Sequence, residues 1–335
     1  MSDNRWQVVE SERPIDARAR LEHDVRTGLN DSPPWLPARW FYDEKGSLLF
    51  EEITSLPEYY PTRRETEILA DHSHDIASLT QATTLVELGS GTSSKTRMLL
   101  EALTGPSGAR STGDGHALLF VPLDVSVEVL AHAARTIAGA YPTISVEAHV
   151  ADFEEEFVLP GEPGRRLVAF LGGTIGNLND VDRADFLRRL RAAMEPGDHL
   201  LLGADLVKDI ERLVTAYDDS AGVTAAFNRN IIDVVVRELH VENLSADDFR
   251  HVARWNAERS RIEMWLRAVR DVDAWFPTLD MAWQLPAGGE LLTEISVKFQ
   301  LPQLHAELAV GGFTVAQSWT DDGGDFSLTL ARAAG

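Results

Sequence analysis

Between residues 84 and 207 the sequence alternates short apolar runs with longer amphipathic stretches. The apolar runs predict buried strands, and the stretches between them carry apolar residues at helical spacing. The predicted strands are Leu85–Leu88, Ala117–Leu123, Ile144–Val150, Leu167–Leu171 and His199–Gly203, and the predicted helices are Ser94–Leu103, Val127–Ala140 and Arg183–Met194. Because strands that alternate with helices form parallel sheets covered on both faces, this region predicts a doubly wound α/β domain.

The flanking segments have different patterns. Residues 15–80 are mostly helical, and residues 208–290 predict a helix at Lys208–Tyr217, a polar turn at Asn228–Asn230 and two strands. Three further strands are expected to return to the central sheet: Leu291–Phe299, Phe313–Thr320 and Phe326–Ala331. We therefore predict a core domain of residues 61–207 and 291–335, interrupted by a substrate-binding domain of residues 15–60 and 208–290.

The first predicted strand runs into a glycine-containing turn, Glu87-Leu-Gly-Ser-Gly91, that precedes a helix. Such a turn brings a ligand against backbone N–H groups at the start of a helix. A dinucleotide-binding turn would need a third glycine where this chain has Ser94. The acidic-x-Gly-x-Gly arrangement instead fits the first motif of S-adenosylmethionine (SAM)-dependent methyltransferases without a mismatch.

A phosphate-binding loop is an alternative for the same turn. The segment from Gly89 to Thr96 departs from the Gly-x-x-x-x-Gly-Lys-Ser/Thr pattern by one residue, at Ser94. Asp124, after the second strand, could then act as a metal-binding aspartate. On this hypothesis the chain is an ATPase or GTPase, and a cofactor-binding protein without catalysis is a third hypothesis.

Residues at the ends of the later strands favour SAM. Asp124 closes the second strand, where one carboxylate can accept hydrogen bonds from both ribose hydroxyls. Asp152 and Phe153 close the third strand and suit the adenine amine and ring. The segment Gly172–Asn177, after the fourth, offers small residues that allow close approach. Each acid alone could be a helix cap, but acids in register at successive strand ends indicate a ligand site.

Composition narrows the class of protein. The formal net charge of −22 argues against nucleic acid as a partner, because phosphate binding needs a basic surface. The chain has no cysteine, so disulfides and thiolate chemistry are excluded, and its histidines form no metal-ligand pattern. No apolar run is long enough to span a membrane, and the first fifteen residues lack the apolar core of a signal peptide. We expect a cytoplasmic, monomeric enzyme without a metal.

From about Leu21 to Leu330 the chain resembles the histidine-specific N-alpha-methyltransferases of ergothioneine biosynthesis. The stretches that carry the resemblance are Trp40–Asp43, Leu56–Arg63, Glu87–Arg97, Phe170–Asn177, Ala225–Asn230, Ile262–Trp265 and Leu292–Ser296. The resemblance implies a class I, Rossmann-like SAM-methyltransferase fold with a substrate-binding insertion. It also implies three SAM-dependent methylations of the α-amine of free L-histidine, which give hercynine. Gly173 departs from the serine expected in the family.

The resemblance also assigns roles to individual residues. It places the amino-acid carboxylate on Tyr59, Asn177 and Tyr217, and of these it makes Tyr59 and Asn177 the catalytic pair. It places the imidazole on Glu294 and Ser296, with Tyr42 nearby and Met264 lining the pocket. The implied SAM contacts are Gly89, Lys95, Asp124, Asp152 and Phe153, with Phe50 on the cofactor side.

The residues themselves support one part of these assignments. In a strand, alternate side chains share a face, so Glu294, Ser296 and Lys298 point one way while Ile295 and Val297 point the other. Glu294 and Ser296 can therefore read one polar ring together, although a solvated strand face has the same pattern. A buried carboxylate facing the ring would disfavour apolar amino acids. Another amino acid or a small amine is nevertheless an alternative substrate.

Overall fold

A computed structural model describes residues 5–10, 16–90, 93, 95–105, 118–125, 127–151 and 159–334 of the chain. The chain divides into two compact units. The first, which we call the sheet unit, comprises Met1–Ile15, Arg63–Leu206 and Phe299–Gly335 as far as these are described. The second, which we call the insertion unit, comprises Asp16–Thr62 and Val207–Lys298.

The strands in chain order are β1 (Trp6–Glu10), β2 (Thr84–Leu88), β3 (Leu118–Asp124), β4 (Ile144–Val150), β5 (Arg166–Phe170), β6 (His199–Asp205), β7 (Phe249–Asn256), β8 (Arg261–Ala268), β9 (Val272–Phe276), β10 (Met281–Leu285), β11 (Glu290–Val297), β12 (Phe313–Thr320) and β13 (Phe326–Ala333). The helices are α1 (Ala17–Leu29), α2 (Glu44–Ser55), α3 (Pro61–Thr80), α4 (Thr96–Thr104), α5 (Val127–Ala140), α6 (Asp180–Ala193), α7 (Ile210–Thr215), α8 (Val223–Leu239) and α9 (Leu301–Val310).

The sheet unit is built on an eight-stranded sheet of order β1-β4-β3-β2-β5-β6-β13-β12. The first six of these strands run parallel, whereas β13 is antiparallel to both β6 and β12. Every residue of β2, β5 and β6 is buried, which explains why these strands are continuous apolar runs in the sequence. The five predicted parallel strands are thus present. The sequence did not predict β1 at the edge.

The order of strands in this sheet reverses between β2 and β5. From β2 the chain proceeds outward through β3 and β4, and it then returns to place β5 and β6 on the other side of β2. In open α/β sheets, ligands bind beyond the carboxyl ends of the strands at such a switch point. The glycine turn after β2 lies at this position.

The insertion unit has its own hydrophobic core around α8, together with a three-stranded sheet of order β11-β8-β7 and the hairpin of β9 and β10. The polar turn predicted at Asn228–Asn230 is wrong, because these residues lie inside α8. Both asparagine side chains are buried and hydrogen bonded, Asn228 to the Trp265 carbonyl and Asn230 to Asp43. Hydrogen-bonded asparagines are tolerated inside a buried helix, although the Asn230 side-chain oxygen has no hydrogen-bond partner among the described residues. The polar letters therefore did not indicate a turn.

The prediction that Leu291–Phe299 returns to the central sheet is also wrong. Residues Glu290–Val297 form β11, which pairs antiparallel with β8 in the insertion unit, and Leu291 is buried in the core of that unit. Only at Phe299, whose N–H donates to the Asp205 carbonyl at 2.8 Å, does the chain rejoin the sheet unit. The boundary predicted at residue 291 therefore lies at residue 299. Alternation identifies a strand but does not identify its partner.

No helix in the described part of the chain combines the length and apolar character that crossing a lipid bilayer requires.

Candidate active site

The glycine turn of the sheet unit is tied to the neighbouring strand end. Gly89 has a φ of +66°, a left-handed value that favours glycine, and its N–H donates to the Leu123 carbonyl at 2.9 Å. The N–H of Ser90 donates to the same carbonyl at 3.1 Å. Asp124, the next residue of β3, is half-buried. Gly89, at the switch point, and Asp124 therefore occupy adjacent strand ends, where the sequence predicted cofactor contacts.

Part of the predicted cofactor site lies outside the described residues. This applies to Asp152 and Phe153, which the resemblance assigns to adenine, and to Gly91 and Ser94 of the turn. The N–H of Ala151 donates to the Asp124 carbonyl at 3.1 Å, so the chain leaves β4 beside the end of β3. The roles of Asp152 and Phe153 stay predictions.

Lys95, another predicted cofactor contact, is held by a buried carboxylate. Its ammonium forms a salt bridge with Glu65 of α3, whose side chain has no exposed surface. Glu65 also accepts hydrogen bonds from the Gly172 N–H, at 2.8 and 3.0 Å to its two oxygens. A Cβ on Gly203 would lie 2.3 Å from a Glu65 oxygen, so any other residue there would displace the Glu65 side chain. Glu65 thus joins the start of α4 to the segment after β5, a role that the sequence did not reveal.

Glu87, the acidic residue of the glycine motif, is a second buried carboxylate in the sheet unit. It accepts hydrogen bonds from the Ser93 hydroxyl at 2.8 Å and from the Thr96 hydroxyl. Burial nevertheless raises the pKa of Glu87 to about 7, against the lowering effect of these bonds and of Lys95. Thr96 is completely buried, with its hydroxyl bonded to Glu87. A phosphate loop needs this hydroxyl for a metal ion, so the geometry speaks against the nucleotide hypothesis.

Asn177 ends a short 3₁₀ turn, Thr174–Asn177, that follows β5 in the sheet unit. The two glycines before the turn have left-handed φ angles, +78° at Gly172 and +70° at Gly173. A glycine is the favoured residue at such angles, so Gly173 adopts this conformation with less strain than the expected serine would. Asn177 itself is half-buried.

The tyrosines predicted to bind substrate belong to one aromatic cluster of the insertion unit. Edge-on ring contacts run from Tyr42 to Phe50 (5.5 Å between centroids), from Phe50 to Tyr59 (6.2 Å) and from Tyr59 to Tyr217 (6.2 Å). Phe227 packs against Tyr42 and Phe50. Phe50, which the resemblance places on the cofactor side, therefore lies between two of the predicted substrate residues. Its assignment to the cofactor stays a prediction.

Tyr217 and Ser296 are joined by a cation, Lys298, whose role the sequence did not reveal. The Tyr217 hydroxyl and the Ser296 hydroxyl lie 2.8 Å apart, and the ammonium of Lys298 lies 2.8 Å from each of them. Lys298 is only 1% exposed. Sequence alternation placed Lys298 on the same face as Ser296 but gave no sign that its ammonium is buried.

Glu294 has a different environment from Glu87. It is half-buried and lies opposite Met264 of β8, next to a β-bulge between Leu292 and Glu294. Burial raises the pKa of Glu294 to about 7, and the charge of Lys298 is the opposing influence. Met264 is buried in the core of the insertion unit, and its predicted contact with the substrate stays a prediction.

A hydrogen-bonded network fixes the backbone behind Tyr217 and Glu294. The Asn228 amide nitrogen donates to the Trp265 carbonyl at 3.1 Å and to Nδ1 of His251 at 2.8 Å. Because Nδ1 accepts, Nε2 carries the hydrogen and donates to the Tyr217 carbonyl at 2.8 Å. Burial lowers the pKa of His251, in agreement with a neutral ring. The Asn228 carbonyl accepts from the Thr293 hydroxyl at 2.6 Å, so one network reaches both Tyr217 and the residue before Glu294.

The predicted site residues thus fall into two sets. The sheet unit carries Gly89, Lys95, Asp124 and Asn177, and the insertion unit carries Tyr42, Phe50, Tyr59, Tyr217, Met264, Glu294 and Ser296. Within the insertion unit, side-chain contacts run from Tyr42 through Phe50 to Tyr59 and from Tyr59 to Tyr217. The Tyr217 hydroxyl in turn contacts the Ser296 hydroxyl. In the described ranges no group of three or more histidine, aspartate or glutamate side chains is arranged to hold a metal ion.

Comparison with known proteins indicates the family to which the chain belongs. Residues 21–333 match the family described as "Histidine-specific methyltransferase, SAM-dependent". The chain is 51% identical to "Histidine N-alpha-methyltransferase" of Mycolicibacterium smegmatis over 94% of this chain and 95% of that protein. It is also 51% identical to the protein of the same name from Mycobacterium tuberculosis, over 93% and 94%. "Ergothioneine biosynthesis protein 1" of Neurospora crassa is 29% identical over 93% of this chain and 35% of that protein.

The match covers nearly the whole chain, and the sheet has the strand order and the antiparallel β13 of a class I SAM-dependent methyltransferase. The predictions of fold class and of SAM as cofactor are therefore confirmed. The chain belongs to the family of histidine-specific, SAM-dependent methyltransferases.

Proposed function

We propose that this enzyme transfers three methyl groups from SAM to the α-amino nitrogen of free L-histidine, giving hercynine as a step of ergothioneine biosynthesis. The observation that carries the proposal is the Glu294 carboxyl. It is desolvated, and no described residue donates a hydrogen bond to it. A desolvated carboxyl of this kind suits a ligand that brings its own polar hydrogen, such as the imidazole N–H of histidine.

The described residues of the sheet unit fit SAM. Gly89 is exposed at a strand end and has no side chain to block a ligand, and Asp124 offers a half-buried carboxylate at the neighbouring strand end. One carboxylate can accept from both hydroxyls of a ribose. Lys95 would lie on the cofactor side in an orientation fixed by its salt bridge with Glu65. When bound, SAM supplies an electrophilic methyl group.

The insertion unit would bind the amino acid through neutral hydroxyls and one carboxyl. Tyr59 and Tyr217 can donate to the substrate carboxylate, and Glu294 and Ser296 can bind the two polar positions of the imidazole. The resemblance alone assigns Asn177 to the same carboxylate, and its side-chain carbonyl could also orient the amine. We propose Tyr59 and Asn177 as the catalytic pair, through positioning of the amine.

The amine must be neutral before each transfer, because an ammonium has no lone pair with which to attack. The pKa of an α-amino group lies near 8 at a chain end. Deprotonation is favoured by any positive charge nearby, and Lys298 places such a charge in the insertion unit. Holding the amine in an attacking orientation can then supply much of the remaining rate increase, on the order of 7–11 kcal/mol in well-oriented systems.

The second candidate is the same chemistry on a different amino acid, and Glu294 speaks against an apolar side chain. A phenylalanine or leucine would leave the desolvated carboxyl without a hydrogen-bond donor. A site that hydrogen-bonds a polar group rejects analogues that lack it by factors of about 10⁴. Glu294 therefore favours histidine.

One experiment tests the proposal. The purified enzyme is incubated with SAM and an equimolar mixture of free amino acids, and the products are identified by mass spectrometry. Histidine should gain three methyl groups, with mono- and dimethylhistidine as intermediates. Methylation of another amino acid in preference to histidine, or of none, would refute the proposed substrate.

We further propose that the enzyme acts as a cytoplasmic monomer without nucleic acid as a partner. The net charge of −22 supports the last point, because an acidic surface repels phosphate. Size-exclusion chromatography with light scattering measures the mass directly, and 37.0 kDa is the value expected for one chain.

A further inference from the structure

Lys298 is a buried cation whose role the proposed function leaves open. It follows β11 in the insertion unit, its backbone N–H donates to the Ser260 carbonyl at 2.8 Å, and its side chain is 1% exposed. Transfer of an ammonium from water into a protein interior is costly unless hydrogen bonds compensate for it. Lys298 is therefore expected to have a specific function where it is buried.

The hydrogen-bond pattern around Lys298 determines the directions of two hydroxyl groups. An ammonium only donates, so the oxygens of Tyr217 and Ser296 both accept from Lys298, each at 2.8 Å. One of the two hydroxyls must then donate to the other across their own 2.8 Å contact. The remaining hydroxyl hydrogen points out of this triangle. Without Lys298 either hydroxyl could rotate and use its hydrogen elsewhere.

The charge of Lys298 adds to this geometric effect. A hydroxyl oxygen that accepts from a cation becomes a stronger donor itself, because successive hydrogen bonds polarise one another. A stronger donor suits an anionic acceptor, such as the carboxylate of an amino acid. The same charge also acts on Glu294, where it opposes the effect of burial.

We propose that Lys298 is a positioning residue for the amino-acid substrate, which orients the hydroxyls of Tyr217 and Ser296. This inference rests on the proposed function, since it assumes that Tyr217 and Ser296 bind the amino acid. Lys298 acts through these two hydroxyls.

The test is substitution of Lys298 by methionine, which has a similar length but neither charge nor donor. Lys45→Met is the matched control, because Lys45 is an exposed lysine of the same unit and pairs only at the surface with Asp233, at 2.9 Å. Histidine affinity is measured by calorimetry, KM and kcat by methyl transfer, and SAM affinity separately. Loss of charge-assisted hydrogen bonds should weaken histidine binding and raise KM by ~10–100-fold in Lys298→Met. SAM affinity should not change, and Lys45→Met should match the wild type.

A double-mutant cycle separates positioning from general stability. If Lys298 acts through the two hydroxyls, its replacement should cost much less histidine affinity in a Tyr217→Phe, Ser296→Ala background than in the wild type. An equal cost in both backgrounds would overturn the inference. So would unchanged histidine affinity in folded Lys298→Met, or equal losses for histidine and SAM.

A further variant covers the case in which Lys298→Met does not fold. Lys298→Gln keeps an N–H donor but removes the charge, and the same expectations and the same overturning results apply to it.

The activity of the wild-type enzyme distinguishes failure of the proposed function from failure of the proposed role of Lys298. If the wild-type enzyme does not methylate histidine, the proposed function is wrong, whereas a histidine-methylating wild type with unaffected Lys298 variants refutes only the role of Lys298.

Discussion

Glu87, which is buried, and Glu294, which is half-buried, have carboxyls with similarly raised pKa values and different surroundings. Burial raises the pKa of each to about 7. Glu87 accepts hydrogen bonds from two hydroxyls of the loop and helix that follow it, Ser93 and Thr96. Glu294 receives none from the described residues, and only the charge of Lys298 opposes its desolvation.

The difference separates a structural carboxyl from one that is suited to a ligand. Once desolvated, a polar group costs free energy unless it is hydrogen bonded, and Glu87 recovers part of that cost within its own unit. Glu294 can recover it through a substrate that carries a donor. A perturbed pKa alone would select both residues as functional candidates, so the hydrogen-bond partners make the distinction.

The strongest test of the comparison is Glu294→Ala. Because the substrate would lose its charge-assisted hydrogen bond, we expect kcat/KM for histidine to fall by about 10⁴-fold. The affinity for SAM should hardly change, since the residues that fit SAM belong to the sheet unit. Titration calorimetry of both ligands checks this. Equal losses for histidine and SAM would remove Glu294 from imidazole recognition.

Asp124→Ala tests the half-buried carboxylate at the end of β3 and should have the next largest effect. Loss of two charge-assisted hydrogen bonds to a ribose should weaken SAM binding by roughly 100-fold. Histidine affinity should remain close to that of the wild type, which is the reverse of the pattern for Glu294→Ala. If SAM binds Asp124→Ala as tightly as the wild type, Asp124 does not hold the ribose.

The sheet was largely predictable from the sequence because its central strands are buried on both faces. Runs such as Leu85–Leu88 and Leu167–Leu171 are too apolar to face solvent, so they predict buried strands. The glycines that follow these runs indicated the edge of the sheet at which a ligand binds. The strand predicted at Leu291–Phe299 is present as β11, but its partner β8 was not predicted, because alternation carries no information about pairing. The antiparallel direction of β13 was missed for the same reason.

For the candidate site, the sequence predicted only the residue types and which side chains share a strand face. The shared face of Glu294 and Ser296 followed from alternation. That Lys298 is buried against Tyr217, and that Glu65 holds Lys95, depends on contacts between segments distant in sequence. The buried Asn228 was predicted to lie in a turn. Residue type alone does not distinguish an asparagine that hydrogen-bonds three groups within a core from an asparagine in a loop.

The pH dependence of histidine binding tests whether Glu294 acts in its charged form. With its pKa raised to about 7, the carboxyl is protonated below that pH and charged above it. Histidine affinity should therefore fall by up to about tenfold for each pH unit below 7. The imidazole and amine of histidine titrate as well, so the wild type is compared with Glu294→Gln, in which these substrate titrations are the same. The histidine affinity of the wild type divided by that of Glu294→Gln should decline as the pH falls. A ratio that does not change with pH would show that histidine binding does not depend on the charge of Glu294.

The smallest effect on the reaction is expected for Glu87→Gln, where the comparison predicts a change in stability instead. Burial raises the pKa of Glu87 in the folded protein from 4.5 to about 7. Below pH 4.5 the side chain is protonated in both the folded and the unfolded chain, so its contribution to stability is fully present. Between pH 4.5 and 7 the unfolded chain loses this proton while the folded chain keeps it. This difference favours the unfolded chain, so the contribution to stability is lost as the pH rises through 7.

The glutamine of the Glu87→Gln variant cannot ionise, so this position does not change the stability of the variant over the same range. Urea unfolding from pH 4.5 to 8 should therefore show wild-type stability declining relative to Glu87→Gln, with histidine affinity unchanged. Parallel stability curves would mean that Glu87 is charged in the folded enzyme, and the contrast between the two carboxyls would then rest on hydrogen bonding alone.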